Sequence, residues 1–390
     1  MNTQTKENYF LSQPHQPFFL LGVINAVIMM LIFALSYKGI LSLSIDVKTF
    51  HVYSLVFLVF TNVFTGFLFT TFPRFNQSSV ISKKYYVNIF YGNSLSSLLF
   101  LGGSFFSLEV TVLGMILNLI SQLFIVLKLQ NIYKTGVAPD KSDSFWILNA
   151  NYLGLLSHIL LIGSIYIFEL LSLAVNIAFY LYLIFLAFSV GQRMIPFFSH
   201  SFAPRNPNFV KIIFLLLITK ILLATFEIKV GEIILDLVLG VYLFMEIKRW
   251  ELKPFDSPAI LWVLHLALFW LPTAFLLSAF SLVGEIFLET SFYFLNVHLL
   301  AIGFLTTVLI GFGTRVTLGH SGQPPHGDKF ATTIFIFIQA VVLGRALFSL
   351  NVAFGWGVDF LFDISFGLWL ILFIVWGVRY GKVLVTGSKL

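Results

Sequence analysis

Four histidines, His51, His158, His265 and His298, fall inside long apolar runs of a 390-residue chain that has no cysteine. A polar ring at bilayer depth is costly and usually has a specific partner, so each is open to two readings: a helix-to-helix hydrogen bond, or ligation of a metal or cofactor. Without cysteine there can be no disulfide, thiolate metal site, iron–sulfur cluster or covalently attached c-type haem. Any metal is left to His, Met, Tyr, carboxylate or backbone oxygen.

The elements that must position these residues follow from composition. Hydrophobic residues make up 58% of the chain and charged residues only 10%, against roughly a quarter charged in soluble domains. Apolar windows long enough to span about 30 Å of hydrocarbon predict helices near 17 to 37, 49 to 72, 86 to 107, 109 to 130, 145 to 168, 170 to 190, 209 to 226, 229 to 247, 259 to 281, 288 to 313, 330 to 351 and 358 to 378. The expected fold is an all-α, polytopic bundle of about twelve transmembrane helices, one membrane domain over residues 1–390. The first run extends at full spanning length from Pro17 to Tyr37 and is expected to remain as a helix. The 47 phenylalanines read as lipid-facing composition rather than as a cofactor cage.

Of the 23 Lys and Arg, only Lys38, Lys48 and Lys229 fall on one side of this topology, and Lys220 and Arg345 lie within helices. The positive-inside rule then puts both termini in the cytoplasm. These charges lie singly in short loops, so the +6 net charge argues for topology and against nucleic acid.

Depth sorts the histidines. Counting back from the inner markers Pro73 and Arg315, His51 and His298 lie 22 and 17 residues toward the outer face. The mismatch is about 7 or 8 Å at about 1.5 Å per residue, which tilt can absorb. His158 is expected at a similar level and His265 nearer the inner surface. Two imidazoles approaching a plane from opposite sides suit a haem iron, b-type for want of a CxxCH motif, whereas three converging on a point suit copper. Arg345, near the outer end of its span, could pair with a haem propionate or form a buried ion pair with Asp359 or Asp363. Lys220 and Asp236 sit eight residues either side of Ile228, so a tight hairpin brings them together, as a neutralised structural pair or as part of a proton or ion path.

Two stretches carry a family resemblance. His51-Val-Tyr-Ser-Leu with Gly66-Phe-Leu-Phe-Thr-Thr-Phe-Pro73 resembles the signature of the NnrS family, in which a His-x-His-Glu-Met element precedes a Gly-Phe-Leu-Leu-Thr-Ala-Val-Pro-like run. His298-Leu-Leu-Ala-Ile-Gly303, leading to Gly313-Thr-Arg-Val-Thr-Leu-Gly-His320-Ser-Gly, is similar to that family's Thr-Arg-x-x-Leu-Gly-His-Thr-Gly element. Shorter matches at Gly191-Gln-Arg-Met-Ile-Pro-Phe-Phe198 and at Trp262-Val-Leu-His265 with Trp270-Leu-Pro272 keep the same order. The resemblance implies a twelve-helix inner-membrane protein of bacteria that contains haem and copper and is linked to tolerance of nitric oxide. The family's second His and its Glu are Tyr53 and Ser54 in this chain, while the first His survives as His51.

A more distant likeness is to the catalytic subunit of haem–copper oxidases, whose second and tenth helices carry opposing haem-ligating histidines. Carried over, it makes His51 and His298 the two axial ligands of a low-spin haem. The histidines of that superfamily's binuclear centre are missing here, and Asn296 stands on the tenth span instead, so an oxygen or NO reductase of that type is not expected. At the inner surface lie His15, His200, Arg315, His320 and His326. Of these, His320 and Arg315 fall in the family motif and could bind haem, copper or a quinone headgroup. Arg315 is otherwise a positive-inside anchor. His158, His265 and His320 thus join His51 and His298 as candidate metal ligands. Besides the lipid bilayer and haem, the partners this leaves open are nitric oxide and quinone. The rivals to a haem-based role are a transporter for haem, copper or a small metabolite, and an assembly factor that holds a cofactor in transit.

Overall fold

A computed structural model describes residues 9–324 and 326–390. Within them the chain forms twelve helices: α1 (His15–Tyr37), α2 (Val47–Phe75), α3 (Lys83–Phe106), α4 (Leu108–Thr135), α5 (Ser142–Gly163), α6 (Leu170–Phe198), α7 (Phe209–Thr225), α8 (Lys229–Arg249), α9 (Ala259–Leu288), α10 (Leu295–His320), α11 (Lys329–Phe354) and α12 (Phe360–Thr386). Ten are long and apolar enough to cross a membrane, so this is a multi-pass membrane protein. The other two are α7, a short 17-residue helix, and α8, which carries Glu232, Asp236, Glu246, Lys248 and Arg249. They form the expected hairpin, but length and charge separate them from the rest.

The chain divides into two compact units. One contains residues 9–178 with Val316–Pro324 and Phe373–Leu390; the other contains Phe179–Arg315 with 326–372. In the first, α3 and α4 are joined by a turn at Ser107, whose side chain accepts from the Val110 N–H and so caps α4. In the second, α7 and α8 turn just as tightly, with Glu227 in a left-handed conformation.

Three helices depart from regular α geometry. At Ser54–Phe60 in α2, Ile177–Ile184 in α6 and Leu299–Thr306 in α10 the backbone widens to i→i+5 hydrogen bonding. These stretches open at near-equal intervals along the chain, each in the second member of a successive group of four helices, so the element order repeats three times. Widening skews carbonyls out of the ladder, and inside a bilayer only protein groups can satisfy them. Side chains do so here. Thr61 donates to the Val56 carbonyl at 2.8 Å, Thr306 to Ala301 at 2.8 Å and Thr307 to Ile302 at 3.2 Å. The Leu58 carbonyl accepts from both Asn25 of α1 and Asn62, each at 2.8 Å, and Asn93 of α3 donates to Asn62 at 2.9 Å.

Candidate functional site

His51 and His298 each lie just before a widened turn. His298 is oriented by an unusual stretch of backbone. Tyr293 and Phe294 both have positive φ, 44° and 59°, a conformation that costs an aromatic residue free energy and persists only where the surroundings hold it. Arg345 of α11 holds it: Nη2 donates to the Tyr293 carbonyl at 3.0 Å, while Nη1 donates to Ser349 Oγ, whose own hydroxyl reaches the same carbonyl at 3.2 Å. The Phe294 carbonyl accepts from His298 Nδ1 at 2.8 Å. A carbonyl can only accept, so Nδ1 carries the proton and the basic lone pair lies on Nε2. Metal-binding histidines are commonly prepared in this way, with the far nitrogen pinned by a carbonyl. His298 is thus left with Nε2 as the nitrogen that could donate to a metal. His51 is partly exposed and packs on Phe33 with ring centroids 4.0 Å apart.

Gly303, five residues beyond His298, has the Trp270 indole where a Cβ would stand. Trp270 is fixed in turn by Gln339, whose Oε1 accepts from Nε1 at 2.7 Å. Two of the matched sequence pieces, one on α9 and one on α10, thus meet at a packing contact.

His158 is fully buried in a chain of polar side chains. Its Nδ1 lies 2.6 Å from Gln122 Oε1 and its Nε2 3.0 Å from the Tyr53 hydroxyl. The amide oxygen fixes the proton on Nδ1, so Tyr53 donates to Nε2, and Asn118 donates to Tyr53 at 3.3 Å. Both ring nitrogens are engaged, and Phe57 stacks on the ring at 3.9 Å. The replacement of the family's second His by Tyr53 leaves the position filled by a hydrogen-bonded phenol. Gln122 and Asn118 were not anticipated; their signal is polar residues four apart inside an apolar run.

His265 is buried, with Nε2 2.6 Å from the Ser199 hydroxyl, a helix-to-loop bond at the end of α6. Arg315 stacks over Phe198 at 4.0 Å. Lys220 meets Asp236 at 2.7 and 2.8 Å, as the spacing about Ile228 requires. Ser278 donates to the same carboxylate at 2.6 Å, and Tyr180 lies beneath the ammonium at 5.4 Å. Among the described residues no three His, Cys, Asp or Glu gather as a metal cluster. At the end of the α10 motif His320 faces His15, ring centroids 4.6 Å apart.

The model of the NnrS protein family matches residues 9–387. No curated protein gives a significant match. The match takes in both long motifs, the widened turn beside each intramembrane histidine they contain, and the Trp270–Gly303 contact that links α9 to α10, so the chain belongs to the NnrS family.

Proposed function

We propose that this protein binds haem b in a bacterial inner membrane, with both termini in the cytoplasm, and acts in the response to nitric oxide through metal or redox chemistry. Family membership supports the nitric oxide role in general terms. The observation that carries the haem reading is His298, whose Nδ1 is committed to the Phe294 carbonyl and whose Nε2 is thereby set as the donor. His298 and His51 are the proposed axial ligands. A haem held by these two histidines would supply electron transfer rather than gas binding.

This chain's own residues then do three things. Arg345 and Ser349 hold the turn that aims His298. Thr306 and Thr307 satisfy carbonyls of the widened turn next to it. Tyr53 and Gln122 keep His158 neutral and occupied, which favours hydrogen bonding over ligation there. The Lys220–Asp236 pair is fully matched and closed by Ser278, an arrangement that supports a structural role over an ion path and gives a transporter no specific support.

The test is the absorption and paramagnetic resonance spectrum of the purified protein expressed with ample haem, beside His51→Ala and His298→Ala. A low-spin haem signal that both substitutions abolish supports the reading. Its survival in both variants removes these residues as ligands, and a wild-type protein with no Soret band would favour the transporter.

A further inference from the structure

Tyr53 and His158 are both 0% exposed. The phenol stands where the family signature has its second histidine, so the pairing belongs to this chain and not to the signature. Its hydroxyl lies 3.0 Å from His158 Nε2 and 3.4 Å from the Met115 carbonyl, which makes the imidazole the nearer acceptor. On the far side of the ring Nδ1 donates to Gln122 at 2.6 Å. Phe100 stacks on the phenol with centroids 4.6 Å apart, and Phe57 stacks on the imidazole at 3.9 Å. A proton donor with a base already in hydrogen-bond reach is arranged for a short proton transfer. At bilayer depth an ionisable pair of this kind calls for a functional reading.

We propose that Tyr53 and His158 form a redox pair that quenches nitrogen dioxide, the small uncharged radical that nitric oxide gives with oxygen and that dissolves in the apolar interior of a bilayer. The proposal rests on the nitric oxide role of the protein but on neither proposed haem ligand. One electron passes from the phenol to nitrogen dioxide, which becomes nitrite. The O–H bond of Tyr53 breaks and an N–H bond forms at His158 Nε2, leaving a neutral phenoxyl radical beside an imidazolium. Loss of the electron makes the phenol a far stronger acid, so a base already in contact eases the oxidation. The bond from Nδ1 to Gln122 becomes charge-assisted once the ring is protonated, which offsets part of the cost of a cation at this depth. The other partners of Tyr53 are the Asn118 amide and the Met115 carbonyl, neither of which passes a proton on, so the proton stays beside the radical. A second nitrogen dioxide then adds to the ring carbon next to the oxygen. The hydrogen of that carbon moves to the oxygen, and the product is a nitrated Tyr53. Tyr180 gives the contrast. It is 4% exposed, but its ring lies 5.4 Å from the Lys220 ammonium, a positive charge that opposes loss of an electron.

The test exposes the full-length protein in liposomes to nitrogen dioxide, generated from nitric oxide and oxygen, and maps nitrated tyrosines by peptide mass spectrometry beside rapid-freeze paramagnetic resonance. The expected result is nitration of Tyr53 at least tenfold above that of Tyr180, and a phenoxyl radical signal that Tyr53→Phe removes. His158→Gln should lower Tyr53 nitration at least tenfold while leaving that of the exposed Tyr166 unchanged. The Soret band should be unchanged in His158→Gln, while His51→Ala and His298→Ala should alter it and leave Tyr53 nitration intact, so the two readings fail separately. Wild-type protein in which Tyr53 is nitrated no more than Tyr180 overturns the proposal even if the variants do not fold. Undiminished nitration of Tyr53 in a folded His158→Gln also overturns it.

Discussion

Arg345 donates to the main-chain oxygen of Tyr293 at 3.0 Å, and the next carbonyl along the chain, that of Phe294, fixes the proton of His298 on Nδ1. A cation on α11 therefore bears on the donor nitrogen of a histidine on α10 through the intervening backbone. The intermediary is two successive aromatic residues with positive φ, a backbone that relaxes if its carbonyl loses the guanidinium.

Arg345→Lys should expose that dependence. A lysine keeps the charge but not the planar fork that reaches Tyr293 and Ser349 together. The loss expected is about 1.5–3 kcal/mol, in the range of a hydrogen bond to a charged group. Thermal unfolding in detergent checks it, with Ser349→Ala as a milder companion. A variant as stable as the parent would mean the turn holds itself.

Tyr53→Phe removes the donor to His158 Nε2 and leaves a buried nitrogen unsatisfied, at an expected cost of about 1–3 kcal/mol. His158→Leu should cost a comparable amount. Since the two side chains share one bond, the double variant should cost clearly less than the sum of the singles. Strict additivity in a double-mutant cycle would deny the coupling.

Much of this was legible in the sequence. Each of the twelve helices overlaps its apolar run, closely at 209 to 226 against Phe209–Thr225, while four of them run seven or eight residues further, as at 170 to 190 against Leu170–Phe198. The Lys220–Asp236 contact followed from symmetry about the turn at Ile228, because rise per residue fixes depth in a tight hairpin. Other features had no reliable local signal. Widened turns have no composition of their own, and the Thr residues that bond five positions back look like any membrane threonine. Tyr293 and Phe294 contradict the local preference of aromatic residues, so only the tertiary clamp explains their conformation. Tyr53 read as the loss of a family histidine. Its gain, the hydrogen bond to His158, depends on a helix more than a hundred positions away.

Lys220→Met should destabilise strongly, by about 3–5 kcal/mol, because it strands the Asp236 carboxylate in a buried site. Adding Asp236→Leu should recover most of the loss. Chemical denaturation of both variants decides the matter, and a double variant no better than the single would point to a role beyond mutual neutralisation.

Gly66→Ala should loosen the α1–α2 contact, since the new methyl would collide with Phe18 and the His15 backbone. Overpacking of this kind costs about 1–3 kcal/mol. Gly319→Ala, with no atom within 4 Å of its would-be Cβ, is the control and should be near neutral. Equal behaviour of the two in thermal unfolding would contradict close packing at Gly66.

His298, aimed by its Nδ1 bond, is the proposed ligand of a haem iron through Nε2. The most direct measurement is the paramagnetic resonance spectrum of the haem-loaded protein before and after His298→Ala. The account predicts a low-spin signal of two imidazoles that disappears on substitution while the protein stays folded. An unchanged low-spin signal in His298→Ala would contradict it.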